Sequence, residues 1–221
     1  MRTAYCLSGL GADERIFQKL VVPGLSFQYL KWVKPEGDEP LQEYTRKLAS
    51  QIKEERPFII GVSFGGMVGI EIAKMMPVAA VTLISSVKSC KELPAWMKAC
   101  GSLSLDRLLP DRPLKEAKAL KLLRPVQNYF LGASSREEKK LANEYRDGAD
   151  PVYLKWAIRQ VLNWKNDWQP ERVFHLHGDK DHIFPIKKVR PTQVIRNAGH
   201  FMVISHAEEI SEALKRISDF D

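Results

Sequence analysis

At Phe58-Ile59-Ile60-Gly61-Val62 the chain is apolar or glycine at every position, and Ser63-Phe64-Gly65-Gly66-Met67 then opens a helical pattern. An apolar run without period-two alternation reads as a strand buried on both faces. Passing directly from such a strand into a helix demands a tight turn. Ser63 at its tip takes strained backbone angles, and Gly61 and Gly65 stand where a side chain would collide. The turn would hold a hydroxyl at a strand end, above a helix N-terminus whose unpaired N–H groups favour negative charge. Gly-x-Ser-x-Gly in this setting has the form of a nucleophile elbow. From these residues alone, a glycine-rich turn with an incidental serine accounts for the stretch equally well.

The rest of the chain repeats the alternation. Strands are expected at residues 2–7, 27–33, 57–62, 78–84, 172–177 and 192–195. Helical periodicity is expected at 14–20 with Asp13 as N-cap, from 41 to 52, after Ser63 as far as Pro77, and from Ser205 onward, where Ser205-His206-Ala207-Glu208 reads as a capping box. Strands that alternate with helices and are apolar throughout make a mostly parallel sheet with helices on both faces. Residues 86–169 break this rule, with no convincing strand and helix-like pieces at 94–99, 114–123, 136–147 and 151–164. Ser135-Arg136-Glu137-Glu138 is a second capping box, Gly148 a stop, and Asp150-Pro151 an N-cap followed by proline at the first helical position. The division expected is therefore a core of residues 1–85 and 170–221 carrying an all-helical cap of residues 86–169, inserted before the penultimate strand. Four of the five tryptophans lie in the insert, and Trp96, Trp156 and Trp164 are candidates for lining a substrate pocket. Packing in the insert's own core is the competing reading for each of them.

Composition narrows the classes. A chain of 221 residues, 44% hydrophobic, can bury a core of its own. The formal charge is +7, but basic residues are interleaved with acids, as in Arg136-Glu137-Glu138-Lys139-Lys140, so no nucleic-acid partner is expected. Mild attraction to acidic substrates fits the balance. No apolar run reaches membrane-spanning length, and residues 1–7 are too short an apolar stretch for a secretion signal. Three widely spaced cysteines, Cys6, Cys90 and Cys100, contain no paired motif. The expected location is cytoplasmic. No metal or cofactor signature is present; His175 and His177 share a strand face without a third ligand at suitable spacing.

A serine hydroxyl needs a base within hydrogen-bond reach, and the base needs an orienting group. His200, in Gly199-His200-Phe201-Met202, directly follows the last expected strand, and Asp179 and Asp181 directly follow the one before. All stand at strand C-terminal ends, where parallel sheets place their sites. The order serine, acid, histidine is that of one fold class among the three known orders.

These segments together resemble the α/β-hydrolase superfamily over nearly the whole chain. Gly61-Val62-Ser63-Phe64-Gly65-Gly66 looks like the family's elbow, His177-Gly178-x-x-Asp181-x-x-x-Pro185 like its acid loop, and Gly199-His200-x-Met202 like its histidine loop. Ser8-Gly9-Leu10-Gly11 occupies the place of the His-Gly oxyanion loop. The resemblance implies a small serine hydrolase or esterase of bacterial type, with a trimmed sheet of about six strands. It implies Ser63 as nucleophile, His200 as base and Asp181, rather than Asp179, as orienter. The backbone N–H groups of Leu10 and Phe64 would form the oxyanion hole. No cofactor is implied. The expected reaction is hydrolysis of a small or medium carboxylic ester through an acyl-enzyme. A thioesterase or carbon–carbon hydrolase with the same triad remains open, as does a non-catalytic ligand-binding protein. Two departures stand out: Ser8 replaces the family's histidine before the oxyanion glycine, and the usual antiparallel N-terminal strands are missing.

Overall fold

The computed structural model describes residues 2–105 and 122–218. Six strands form one sheet: β1 (Arg2–Leu7), β2 (Leu25–Tyr29), β3 (Phe58–Val62), β4 (Ala80–Ile84), β5 (Val173–Gly178) and β6 (Gln193–Ile195). Their order is β2-β1-β3-β4-β5-β6, and every pairing is parallel. The chain moves outward from β1 to β2, then returns to the other side of β1 and proceeds from β3 to β6. The direction therefore reverses between β1 and β3, and the C-terminal ends of those strands face the crevice where ligands bind in open sheets.

Burial explains why the strands read as unbroken apolar runs. Ala4, Cys6, Phe58, Ile60 and Leu176 face one core with the helix α8 (Ala207–Ser218), through Ile210, Leu214 and Ile217. The alternate residues Tyr5, Leu7, Ile59, Val81 and Leu83 face a second core with α1 (Leu41–Ala49) and α2 (Phe64–Met75). Two faces, both covered, leave no polar side to the sheet.

The second strand starts earlier and stops earlier than its sequence pattern predicts. After Tyr29 the chain turns away from the sheet, because the Trp32 ring stacks on Phe64 with centroids 5.6 Å apart and the Val33 carbonyl accepts a hydrogen bond from the Tyr44 hydroxyl at 2.8 Å. Apolar residues placed for packing between elements imitate a longer strand. The C-terminal helix also differs: a short α7 (Met202–Ser205) precedes α8, and the Ser205 hydroxyl lies 2.8 Å from His206 Nδ1.

Between β4 and β5 the described residues form four α-helices: α3 (Ala95–Ser102), α4 (Arg124–Leu131), α5 (Arg136–Gly148) and α6 (Pro151–Leu162). The Ser135 capping box is present with both of its hydrogen bonds, and Asp150 accepts from Tyr153 N–H at 2.9 Å. The helix expected at 114–123 lies, through residue 121, outside the described residues. Helix α4 has no counterpart in the sequence reading, although Pro125 in its first turn and left-handed Gly132 at its end are ordinary start and stop signals. Among the described residues, no helix is long and apolar enough to cross a membrane.

Candidate active site

Ser63 sits between β3 and α2 with φ 53° and ψ −119°, a conformation that costs an L-residue about 1–3 kcal/mol. The two flanking glycines make this turn possible. A Cβ on Gly61 would lie 2.4 Å from the Gly65 carbonyl oxygen, and a Cβ on Gly65 would lie 2.3 Å from the Leu7 carbonyl oxygen. Ser86, just beyond β4, donates its hydroxyl to the Ser63 carbonyl at 2.7 Å and so clamps the turn from below.

His200 Nε2 lies 2.9 Å from Ser63 Oγ, and His200 Nδ1 lies 2.8 Å from Asp181 Oδ2. A carboxylate only accepts, so Nδ1 carries the proton and Nε2 is left to receive one from Ser63. The other oxygen, Asp181 Oδ1, accepts the backbone N–H groups of Ile183 and Phe184, each at 2.8 Å. Burial alone would push the Asp181 carboxyl up. His200, His177 and the Phe184 N–H outweigh it and hold the group below its ordinary value, hence ionised. Asp179, the rival acid, is solvent-exposed, and its backbone N–H is spent on the Ile195 carbonyl.

Beneath the acid lies a buried histidine pair. His177 Nε2 donates to the Phe184 carbonyl at 2.7 Å, which leaves Nδ1 to accept from His175 Nε2 at 3.1 Å. Burial, joined by the neighbouring His177 and Lys88, lowers His175 to about 3. Burial lowers His177 as well, with Asp181 and the Phe184 carbonyl opposing it. Both rings are therefore neutral near pH 7, and among the described residues no group of three potential ligands could hold a metal ion.

The loop after β1 is held without the histidine that the resemblance would place there. Ser8 Oγ donates to the Ala12 carbonyl at 2.8 Å and accepts from Trp32 Nε1 at 2.7 Å. Leu10 and Phe64, whose N–H groups are the candidate oxyanion donors, line the same cavity as Ser63 and His200. The Phe64 N–H belongs to the first turn of α2, where no intrahelical acceptor exists.

That cavity has a volume of about 500 Å³. Its walls beyond Ser63 are mostly apolar and come largely from the helices between β4 and β5, including Trp96, Met97, Leu131 and Leu154. Of the three tryptophans picked out by sequence, only Trp96 is on the wall. Trp156 is buried against Tyr44, with centroids 4.2 Å apart, and donates to the Glu39 carbonyl at 2.8 Å. Trp164 is buried and donates to Glu71 Oε1 on α2 at 2.7 Å. Both pin the inserted helices to the sheet layer. The end of α4 also meets the histidine loop: a Cβ on Gly132 would lie 2.8 Å from Gly199 Cα, and the Phe201 N–H donates to the Leu131 carbonyl at 2.8 Å. Ser86, Trp32 and Arg146 enter the site without having been singled out in the sequence.

The same architecture recurs in known proteins. A family model described as "Alpha/beta hydrolase family" matches residues 4–213. Among solved structures, a bromoperoxidase from Bacillus anthracis superposes with a TM-score of 0.75 at 17% identity, covering 99% of this chain and 92% of its own. A thermophilic esterase from Thermogutta terrifontis gives 0.71 at 14% identity, over 98% and 89% of the two chains. A Bacillus megaterium epoxide hydrolase gives 0.70 at 12%, over 99% and 94%. At such identities the likeness is one of fold. No curated protein sequence matches the chain.

Proposed function

The chain belongs to the alpha/beta hydrolase family, and from that premise we propose that it is a serine hydrolase acting through an acyl-enzyme on a small or medium carboxylic ester. The observation that carries the reading is the continuous line from Ser63 Oγ to His200 Nε2 at 2.9 Å and from His200 Nδ1 to Asp181 Oδ2 at 2.8 Å. In this reading Ser63 Oγ attacks the acyl carbon while its proton passes to His200 Nε2. The carbonyl oxygen becomes an oxyanion held by the N–H groups of Leu10 and Phe64, each such donor being worth about 3 kcal/mol at the transition state. Collapse expels the alcohol, which takes the proton from His200. Water then repeats the sequence on the acyl-enzyme, giving the acid and returning the proton to Ser63. Asp181 holds the ring in one tautomer and stabilises its cation.

Residues 86–169 serve in this reading as a cap over a core of residues 1–85 and 170–221. The apolar wall that they contribute would select the acyl or alcohol chain. A fluorophosphonate probe tests the central claim. The wild-type protein should label and Ser63→Ala should not; a folded wild-type protein that stays unlabelled overturns the reading.

A further inference from the structure

Trp32, just beyond β2, touches both of the segments that carry the candidate oxyanion donors. Its Nε1–H donates to Ser8 Oγ at 2.7 Å, and Ser8 Oγ gives its own hydrogen to the Ala12 carbonyl at 2.8 Å. These two linked bonds close the loop of residues 8–12, with Leu10 inside it. The Ala12 N–H closes the loop again on the Gly9 carbonyl at 3.0 Å. Ser8 is buried, and a hydroxyl that accepts while it donates strengthens both of its bonds. The indole ring meanwhile stacks on the Phe64 ring, with centroids 5.6 Å apart and planes 20° from parallel. Phe64 opens α2 directly after Ser63. The indole has a fixed base. The Tyr44 hydroxyl accepts from the Val33 N–H at 3.2 Å and donates to the Val33 carbonyl at 2.8 Å, and the Leu30 N–H donates to the Cys6 carbonyl on β1 at 2.9 Å. Loop and elbow are packed without space between them: a Cβ on Gly65 would lie 2.4 Å from the Ser8 carbonyl oxygen.

We infer that Trp32 is a positioning residue for the oxyanion hole, holding the Leu10 loop through Ser8 and the start of α2 through Phe64. This rests on the serine hydrolase reading, with Leu10 and Phe64 as the donors. The two N–H groups belong to different elements, so neither element alone fixes the spacing between them. A hole of backbone donors stabilises an oxyanion only when both reach the place that the developing charge will occupy. One side chain bonded to the first segment and stacked on the second supplies that constraint. Among the described residues that line the cavity around Ser63, neither Trp32 nor Ser8 appears. Their effect therefore reaches the reaction through the placement of the backbone, and ground-state binding of the substrate does not depend on them.

Trp32→Phe keeps a ring against Phe64 and removes the Nε1–H, while Ser8→Ala removes the other end of the same bond. On p-nitrophenyl esters each should lower kcat by about tenfold, the worth of one hydrogen bond. That is well short of the roughly 10²–10³-fold loss of an oxyanion donor itself. KM should stay unchanged, since acylation and deacylation both pass through an oxyanion. A trifluoromethyl ketone, whose adduct with Ser63 places an oxyanion in the hole, should bind more weakly by the factor that kcat/KM loses. The double variant should be no slower than the slower single one, because both changes cut one chain of bonds. A merely structural role would lower stability in urea and leave kcat and ketone affinity of the folded protein in place. That result overturns the inference, as does a rise in KM alone or a pair of additive losses. Should Trp32→Phe fail to fold, Ser8→Ala carries the same readouts. A wild-type protein that neither hydrolyses an ester nor takes up the ketone defeats the serine hydrolase reading, and the positioning role with it. Turnover that both single variants leave unchanged defeats only the positioning role.

Discussion

Asp181 and Asp179 are separated by one residue, yet they have opposite environments. Asp181 is buried with both oxygens engaged, while Asp179 is exposed. Asp181→Asn should lower kcat by about 10⁴-fold, because the amide can hold the His200 ring in the wrong tautomer. Asp179→Asn should change kcat little. Steady-state kinetics on any ester turned over will rank them, and the reverse ranking would reassign the orienting acid. That Ser63, Asp181 and His200 meet was legible because each lies at or shortly after the C-terminal end of a strand and belongs to a local motif. The contacts of Ser86, Trp32 and Arg146 were not. Their partners, the Ser63 carbonyl, Ser8 Oγ and Asn128, are 23, 24 and 18 residues away, and only packing brings them together.

Among the elements, the inserted helices show where a composition argument stops. Tryptophans crowded into one segment suggested a pocket lining, but an indole also supplies a donor for joining layers. Trp164→Phe should remove the donor to Glu71 Oε1 and leave that carboxylate, 2% exposed, with Lys74 as its remaining partner. A loss of about 1–3 kcal/mol in urea unfolding is expected, with chain-length preference unchanged. Trp96→Ala should do the opposite, shifting the preference toward longer or bulkier esters at little cost in stability, since Trp96 is half-exposed on the cavity wall. A shared phenotype would mean that the seam and the wall are not separable. Helix boundaries in this region followed their caps, as at Ser135 and Asp150. Helix α4 is not legible in the sequence, because its eight residues mix polar and apolar positions too briefly to establish a period.

For the molecule as a whole, the buried histidines make stability depend on pH. His175 is lowered from 6.5 to about 3, so across that window the unfolded chain binds a proton that the folded one refuses. Stability therefore rises with pH through the window and is lost on acidification. His177, lowered by burial, acts with the same sign. Asp181, held below its ordinary value, adds stability above its unfolded pKa that disappears as pH falls through the folded one. The unfolding free energy from urea titrations should fall from about pH 6.5 downward with a slope of up to ~1.4 kcal/mol per pH unit for each histidine. His175→Gln should flatten that slope by about one proton; identical slopes would mean that His175 titrates normally in the folded state. The parallel sheet and its two covered faces could be read from the unbroken apolar runs. The strand order could not, since apolar runs of similar composition do not state which neighbours they take.

The contact between Gly132 and Gly199 joins the helices between β4 and β5 to the loop that carries His200. Helix α4 ends against the backbone that carries His200, and the Leu131 carbonyl holds the next residue, Phe201. Any outward displacement of α4 would break that hydrogen bond and take a brace away from the His200 loop. A substitution confined to Gly132 would thus be felt at His200 through the backbone alone, without altering a single cavity-lining side chain.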